Sequence, residues 1–271
     1  EFAGKSNLAA NVTGTGDYVG GYIGYIDEAK IKFHVASENL LDSMVVIRTS
    51  GNYVGGLAGA AKKTTVEGNN STFNFNNGIP KFESFKTNIC CTVNGNKYVG
   101  GAFGHVNQCT IHDLAVKTSV HGGEYTGGIF GYIHFHHDVE INRCVHDGFV
   151  KGTANNTGGI SGYSKNNGKL QYCINYGNTH DAGESMIGTV VTGGVVYNNN
   201  LYHLSGTGDH SGHSWSSTSF FEYQMNSLST FEGYSSEDWV VDQQLNMQGS
   251  GESSKSRVIL KDCPFQNIVY K

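Results

Sequence analysis

Apolar residues come in short runs along this chain, and glycine, asparagine and serine separate the runs. Ile31-Lys32-Phe33-His34-Val35, Met44-Val45-Val46-Ile47 and Phe73-Asn74-Phe75 are examples, each rich in β-branched or aromatic residues and bounded by turn formers. Short runs of this kind are the strand signal, and no stretch sustains the period of an amphipathic helix.

The runs recur in a frame set by a glycine doublet. Tyr18-Val19-Gly20-Gly21-Tyr22-Ile23-Gly24 is followed by Tyr53-Val54-Gly55-Gly56-Leu57-Ala58-Gly59, Tyr98-Val99-Gly100-Gly101-Ala102-Phe103-Gly104 and Tyr125-Thr126-Gly127-Gly128-Ile129-Phe130-Gly131. A fifth copy, Asn156–Gly162, replaces the aromatic with Asn, and a sixth, Val191–Tyr197, loses the last glycine. Successive doublets lie 35, 45, 27, 31 and 35 residues apart. Periods in this range mark repeat architectures. A unit of two or three short strands cannot bury its own apolar face, but stacking units at roughly 4.8 Å gives every strand a parallel partner above and below. The expected fold is therefore all-β, a right-handed parallel β-helix. Residues 1–204 form its rungs, and residues 205–271 a last rung with a capping segment of the same domain.

The end of the chain breaks the frame. It carries both tryptophans, Trp215 and Trp239, and no glycine doublet. Ser219-Phe220-Phe221-Glu222 fits a capping box ahead of Tyr223, Met225 and Leu228, which predicts a short helix over the last rung, where it would shield an open sheet edge. No comparable cap precedes the first rung, so the chain reads as the C-terminal piece of a longer stack. The rival is a packed edge strand in Leu8–Val12.

A second echo runs through the cysteines. Ile141-Asn142-Arg143-Cys144-Val145-His146-Asp147-Gly148 is matched by Leu170-Gln171-Tyr172-Cys173-Ile174-Asn175-Tyr176-Gly177, and more loosely by Val106–Asp113 around Cys109. Cys109, Cys144 and Cys173 are expected at one register position. Two outcomes stay open there: a ladder of buried free thiols, or a disulfide across the rung spacing. With Cys90, Cys91 and Cys263 the total is six, without a CxxC that would indicate zinc or dithiol chemistry.

Composition narrows the partners. The net charge of −5 argues against sequence-independent binding of nucleic acid, which needs basic patches. No apolar run is long enough to span a bilayer. Charged residues make up only 15% of the chain, and Gly, Asn, Ser and Thr take their place, as in extracellular β-structure. Sequons at Asn11, Asn69, Asn70 and Asn155 agree with an exterior setting.

The Tyr53–Gly59 motif and its relatives resemble the GLUG repeat, as does the intervening Ile-x-x-Cys-x-x-x-Gly form at Ile141–Gly148. Asn200–Gly206, Glu222–Ser227, Phe231–Tyr234 and Asp238-Trp239 are similar to the segments that close such arrays, with Tyr234 in place of the usual Trp and Val258-Ile259-Leu260 in place of the usual terminal Tyr-Pro-x-Leu. GLUG repeats occur in large surface proteins: bacterial adhesins, N-terminal regions of immunoglobulin-A-cleaving metallopeptidases, and protist surface proteins. The resemblance implies a β-helical scaffold at the cell surface, attached to a larger surface protein. It carries over no catalytic residue, and no HExxH is present.

Several candidate sites follow. Tyr18, Tyr53, Tyr98 and Tyr125 share one register. Exposed, they would suit sugar rings; buried, they would be rung packing. His112-Asp113-Leu114-Ala115-Val116-Lys117 matches His146-Asp147-Gly148-Phe149-Val150-Lys151. Stacked in register, Asp113 and Asp147 would be close enough to share a proton as glycosidase acids do, with His112 and His146 forming a ladder beside them. The competing reading is a duplicated surface whose His and Lys neutralise the acids. In His134-Phe135-His136-His137-Asp138, His134 and His136 face one side of a strand, but a metal would need a third ligand from another rung. Asn69–Phe85 is the longest insertion and a candidate recognition loop. The leading expectation is a non-enzymatic, secreted or surface-displayed adhesin-like module without a cofactor, binding a glycan, a host protein or another copy of itself. A polysaccharide lyase or hydrolase is the alternative, and a structural spacer a third.

Overall fold

The computed structural model describes residues 11–32, 45–67, 87–134, 140–152, 156–165, 169–180, 186–191, 196–197, 201–204, 217–220, 227–242 and 257–260. Among them, parallel strands stack into three sheets of fourteen, five and six strands, with one separate antiparallel pair. This is a parallel β-helix. Each rung passes from the long sheet (for example Val46–Thr49) to a short second sheet (Asn52–Gly55), then to a third sheet (Ala58–Lys62) and back to the long sheet (Thr65–Glu67).

The glycine frame is the register. Val19 pairs with Val54, Val54 with Val99, Val99 with Thr126, and Thr126 with Thr157. In the third sheet Ile23, Ala58, Phe103, Phe130, Ser161 and Ile187 form the matching column. The apolar members of these columns join Ile47, Val93, Val120, Ile111, Ile141 and Leu170 in one continuous apolar core, and Thr126, Thr157 and Ser161 are buried as their polar members. Like on like is the consequence of in-register parallel stacking.

The glycines and tyrosines divide the work at the turns. The tight second-to-third-sheet turn needs close approach rather than unusual dihedrals. A Cβ on Gly55 or Gly100 would drive into the carbonyl oxygen of the residue three positions later, Ala58 or Phe103. The left-handed backbone falls instead on non-glycine residues, repeated from rung to rung. Tyr18, Tyr53, Tyr98 and Tyr125 have φ of 56–61°, the stacked Glu28, Lys63 and Gln108 have 46–55°, and Asp113, Arg143 and Tyr172 have 51–62°. Left-handed residues cost energy singly and persist where surrounding structure holds them. Here the neighbouring rungs do so, since Glu28 donates its amide to Lys62 O and Lys63 to Asn107 O.

Leu114, Cys144, Cys173 and Leu201 point into this core, and the alternate column Ala115, Val145, Ile174 and Tyr202 points out. That outer column is not left to solvent. Phe231, Tyr234, Trp239, Val258 and Leu260 cover it as a second apolar cluster. Trp239–Asp242 and Arg257–Leu260 form the antiparallel pair, and Tyr176 donates its hydroxyl to Val258 O at 2.7 Å.

The end of the chain therefore departs from expectation. Ser217–Phe220, where a helix was expected to begin, continues the long sheet as a parallel strand against Leu201–Leu204. A 3-10 turn forms at Leu228–Thr230, and Tyr223 and Met225, over which the expected helix would run, lie outside the described residues. Of the residues that follow, the described ones, 227–242 and 257–260, pack against the outer side of the long sheet. Aromatic side chains hold them there: Tyr202, Phe231, Tyr234 and Trp239 interlock at centroid distances of 4.4–5.3 Å.

Candidate functional site

Two columns of aromatic side chains face each other across the turn between the second and third sheets. Tyr18, Tyr53, Tyr98 and Tyr125 form the first, with consecutive ring centroids 4.6, 4.6 and 5.0 Å apart and nearly parallel planes. The left-handed backbone at each tyrosine turns its ring out of the strand line. The second column occupies the position after the third glycine of each motif, Tyr25, Ala60, His105, Tyr132 and Tyr163. Tyr132 stacks on Tyr163 at 4.9 Å. Across the columns the rings meet edge to face: Tyr18 with Tyr25 at 5.5 Å, Tyr98 with Tyr132 at 5.6 Å and Tyr125 with Tyr163 at 4.9 Å.

Both readings of the first column are partly realised. Tyr53, Tyr98 and Tyr125 are half-buried, whereas Tyr18 and Tyr25 are 43% and 47% exposed. Stacked rings cover each other's faces, so the middle of the array presents ring edges and hydroxyls, and open ring surface is concentrated at Tyr18 and Tyr25. Burial raises the Tyr53 phenol above its ordinary value and takes Tyr132 to about 12. The Tyr125 hydroxyl is raised chiefly by donating to the Glu124 carboxylate. These phenols are thus protonated at neutral pH, and Tyr125 already commits its proton to the hydrogen bond with Glu124. Lys97 lies 5.3 and 5.0 Å from the Tyr98 and Tyr125 centroids and pairs with Glu124 at 2.6 Å.

The paired-aspartate arrangement does not form. Val116, not His112, lies beside His146, while His112 pairs with Asn142 and Leu114 with Cys144. Asp113 consequently meets Arg143, at 2.7 and 2.9 Å, and its second oxygen also contacts His112 Nδ1 at 2.8 Å. Asp147 lies near Lys117 at 4.0 Å. The register follows the inward columns, Ile111 on Ile141 and Leu114 on Cys144. Matching the two His-Asp strings instead would slip the strand by four residues and put Thr110 opposite Cys144. Asp113 is 1% exposed and held in an ion pair, so it is placed as a structural anion.

His146 is fully buried between the rungs, its Nδ1 2.8 Å from Asn175 Oδ1, and cannot touch a ligand. Desolvation lowers its pKa. His112 is partly exposed but committed to Asp113. His134 ends the strand Phe130–His134, and His136 lies outside the described residues. No cluster of three metal-ligating side chains occurs among the described residues. Asn69–Phe85 lies outside them as well.

Of the two cysteine outcomes, the described structure has the free thiols. Cys91, Cys109, Cys144 and Cys173 are buried and unlinked. Cys144 and Cys173 share the expected register, but Leu114 takes the place assigned to Cys109, which lies at the turn just before the same strand, Thr110–His121. Burial pushes the Cys109 thiol up to about 11 and that of Cys144 well above its ordinary value.

Sequence reasoning missed the second column. Its signal was the residue following Gly24, Gly104, Gly131 and Gly162, aromatic or histidine in each case. No protein-family model, curated protein or solved structure matches the chain.

Proposed function

We propose that this chain is a β-helical module of a GLUG-like, adhesin-like or cell-coat protein displayed at the cell surface, and that it binds a glycan along the paired aromatic columns. The observation that carries this reading is the facing array of half-exposed tyrosines around Tyr98 and Tyr132, ending in the open rings of Tyr18 and Tyr25. A sugar ring packs its C–H face on open aromatic surface, and the hydroxyls down the array supply donors and acceptors to the next sugars of the same chain. Protonated phenols suit neutral sugar hydroxyls. The lyase or hydrolase alternative loses its acid pair to Arg143 and Lys117.

A glycan array probed with the full chain tests the reading. Binding to a defined glycan class is expected, weakened by about tenfold or more in the Tyr18→Ala/Tyr25→Ala variant, about 1.4 kcal/mol. Absence of glycan binding, or binding indifferent to both substitutions, overturns it.

A further inference from the structure

A separate column on the outward side of the long sheet gathers cations. Register places Arg48 beside Asn94, Asn94 beside His121, His121 beside Lys151, and Lys151 beside His180. Adjacent strands lie about 4.8 Å apart, so His121 is roughly 5 Å of backbone spacing from Lys151 and roughly 10 Å from Arg48. A groove of about 540 Å³ opens along Arg48, His121 and Lys151, where the chain turns toward the second sheet, and none of its lining residues is acidic. Gly95, Gly122 and Gly123 form part of its wall and add no side chain to fill it. The groove is walled by the turns that lead into Tyr53, Tyr98 and Tyr125.

Three basic side chains in one groove stand out in a protein of net charge −5. A cleft lined by one sign of charge focuses its potential and raises the local concentration of the opposite ion. The repeat along the solenoid axis matters as much as the sign. A single small anion would need its donors converging on one point, whereas Arg48 and Lys151 stand three strands apart along the groove, roughly 14 Å, with His121 between them. Such a row matches a linear polymer that bears an anionic group on successive units. Burial and the neighbouring Lys151 hold His121 below the usual histidine value, and an anion between the two offsets both effects.

We infer that the Arg48–His121–Lys151 groove binds an acidic polysaccharide through its carboxylate or sulfate groups. This deepens the glycan reading and rests on it for the sugar, while the groove supplies the charge class.

Calorimetry on the full chain separates the parts. The probes are oligogalacturonate as the carboxylated polymer, heparin as the sulfated one, dextran as the neutral one, and inorganic phosphate, single-stranded DNA and polyglutamate as other anions. One or both acidic polysaccharides are expected to bind, with affinity falling as salt rises. The Arg48→Gln/Lys151→Gln variant, with both residues at exposed positions, should lose about tenfold or more of that affinity and keep its circular dichroism and melting temperature. Failure of both acidic polysaccharides to bind overturns the inference. So does unchanged affinity in the variant, or equal or tighter binding of DNA, polyglutamate or phosphate. The tyrosine variant tells the two proposals apart. Loss on Arg48→Gln/Lys151→Gln with none on Tyr18→Ala/Tyr25→Ala leaves the groove standing and removes the tyrosine reading, and the reverse pattern removes the groove.

Discussion

Asp113 and Arg143 stand side by side on adjacent rungs, both in left-handed backbone, with the carboxylate gripped by Nε at 2.7 Å and Nη2 at 2.9 Å. Arg143 reaches further, to Asp238 at 3.7 Å, and so ties the C-terminal segment to the rung stack. Removing one partner of a buried pair leaves the other charge uncompensated. Asp113→Asn isolates that effect, because Asn tolerates left-handed backbone as Asp does. A loss of about 3 kcal/mol is expected, at the low end for such pairs, since Arg143 keeps Asp238 and some solvent. Asp113→Ala should cost about 1 kcal/mol more through backbone strain. Urea unfolding of the three proteins measures both differences, and equal stability of the Asn and Ala variants would remove strain from the account.

The doublet glycines are steric rather than conformational, and two substitutions separate the cases. Gly100→Ala places a methyl against Phe103 O and the backbone of the next rung, neither of which can rotate away. A cost of about 3 kcal/mol or more is expected. Gly16 has nothing within 4 Å of a built Cβ and no left-handed φ. Gly16→Ala should be neutral or up to about 0.5 kcal/mol stabilising, through the unfolded chain. Thermal melts in parallel read the contrast.

Acid should destabilise the fold through its buried histidines. Desolvation takes His105 to about 4, and it also lowers His146. The unfolded chain binds these protons near pH 6.5 and the folded one only at lower pH. Between those values the unfolded state carries more protons, so stability falls as pH drops from about 6.5 toward 4. His105→Gln should flatten part of that slope. A melting temperature that does not change between pH 7 and pH 4.5 would contradict the assignment.

Sequence pattern and structure agree where identical residues stack. The doublets set the register from Val19 to Thr157, and Cys144 falls beside Cys173 as the motif echo required. The errors arise where local likeness competes with the core. The duplicated His-Asp strings are more alike to the eye than Leu114 and Cys144, yet burial of the apolar column decides the pairing. Asp113 in left-handed backbone spaces Ile111 and Leu114 three apart, which strict alternation does not foresee. Ser219 and Phe220 of the expected capping box lie in the strand Ser217–Phe220, and the residues that would continue it as a helix, 221–226, lie outside the described residues.

The buried thiols lead to a labelling prediction. The thiolate is the reactive form, and burial disfavours it at Cys109 and Cys144. At pH 8, iodoacetamide should leave Cys91, Cys109, Cys144 and Cys173 unmodified in the folded protein and alkylate all four in guanidinium, as read by peptide mass spectrometry. Rapid modification of Cys144 under native conditions would mean that the long sheet opens readily.

The tyrosine array makes stability and binding separable along its length. Tyr98 stacks on Tyr53 at 4.6 Å and on Tyr125 at 5.0 Å, with Tyr132 against its edge and Lys97 over its ring. Each aromatic pair contributes about 0.5–1.5 kcal/mol beyond area burial, so Tyr98→Ala should cost about 3 kcal/mol. Tyr18 touches one ring above and one across and is largely open, so Tyr18→Ala should cost about 1 kcal/mol or less. If the array binds sugar where its ring faces are open, the order reverses for affinity: Tyr18→Ala weakens glycan binding while a folded Tyr98→Phe, which keeps the stacking, loses only its hydroxyl's share. Denaturation midpoints and glycan titrations on the same preparations decide the matter. A Tyr18→Ala protein that binds as tightly as the parent would leave the columns as scaffold alone.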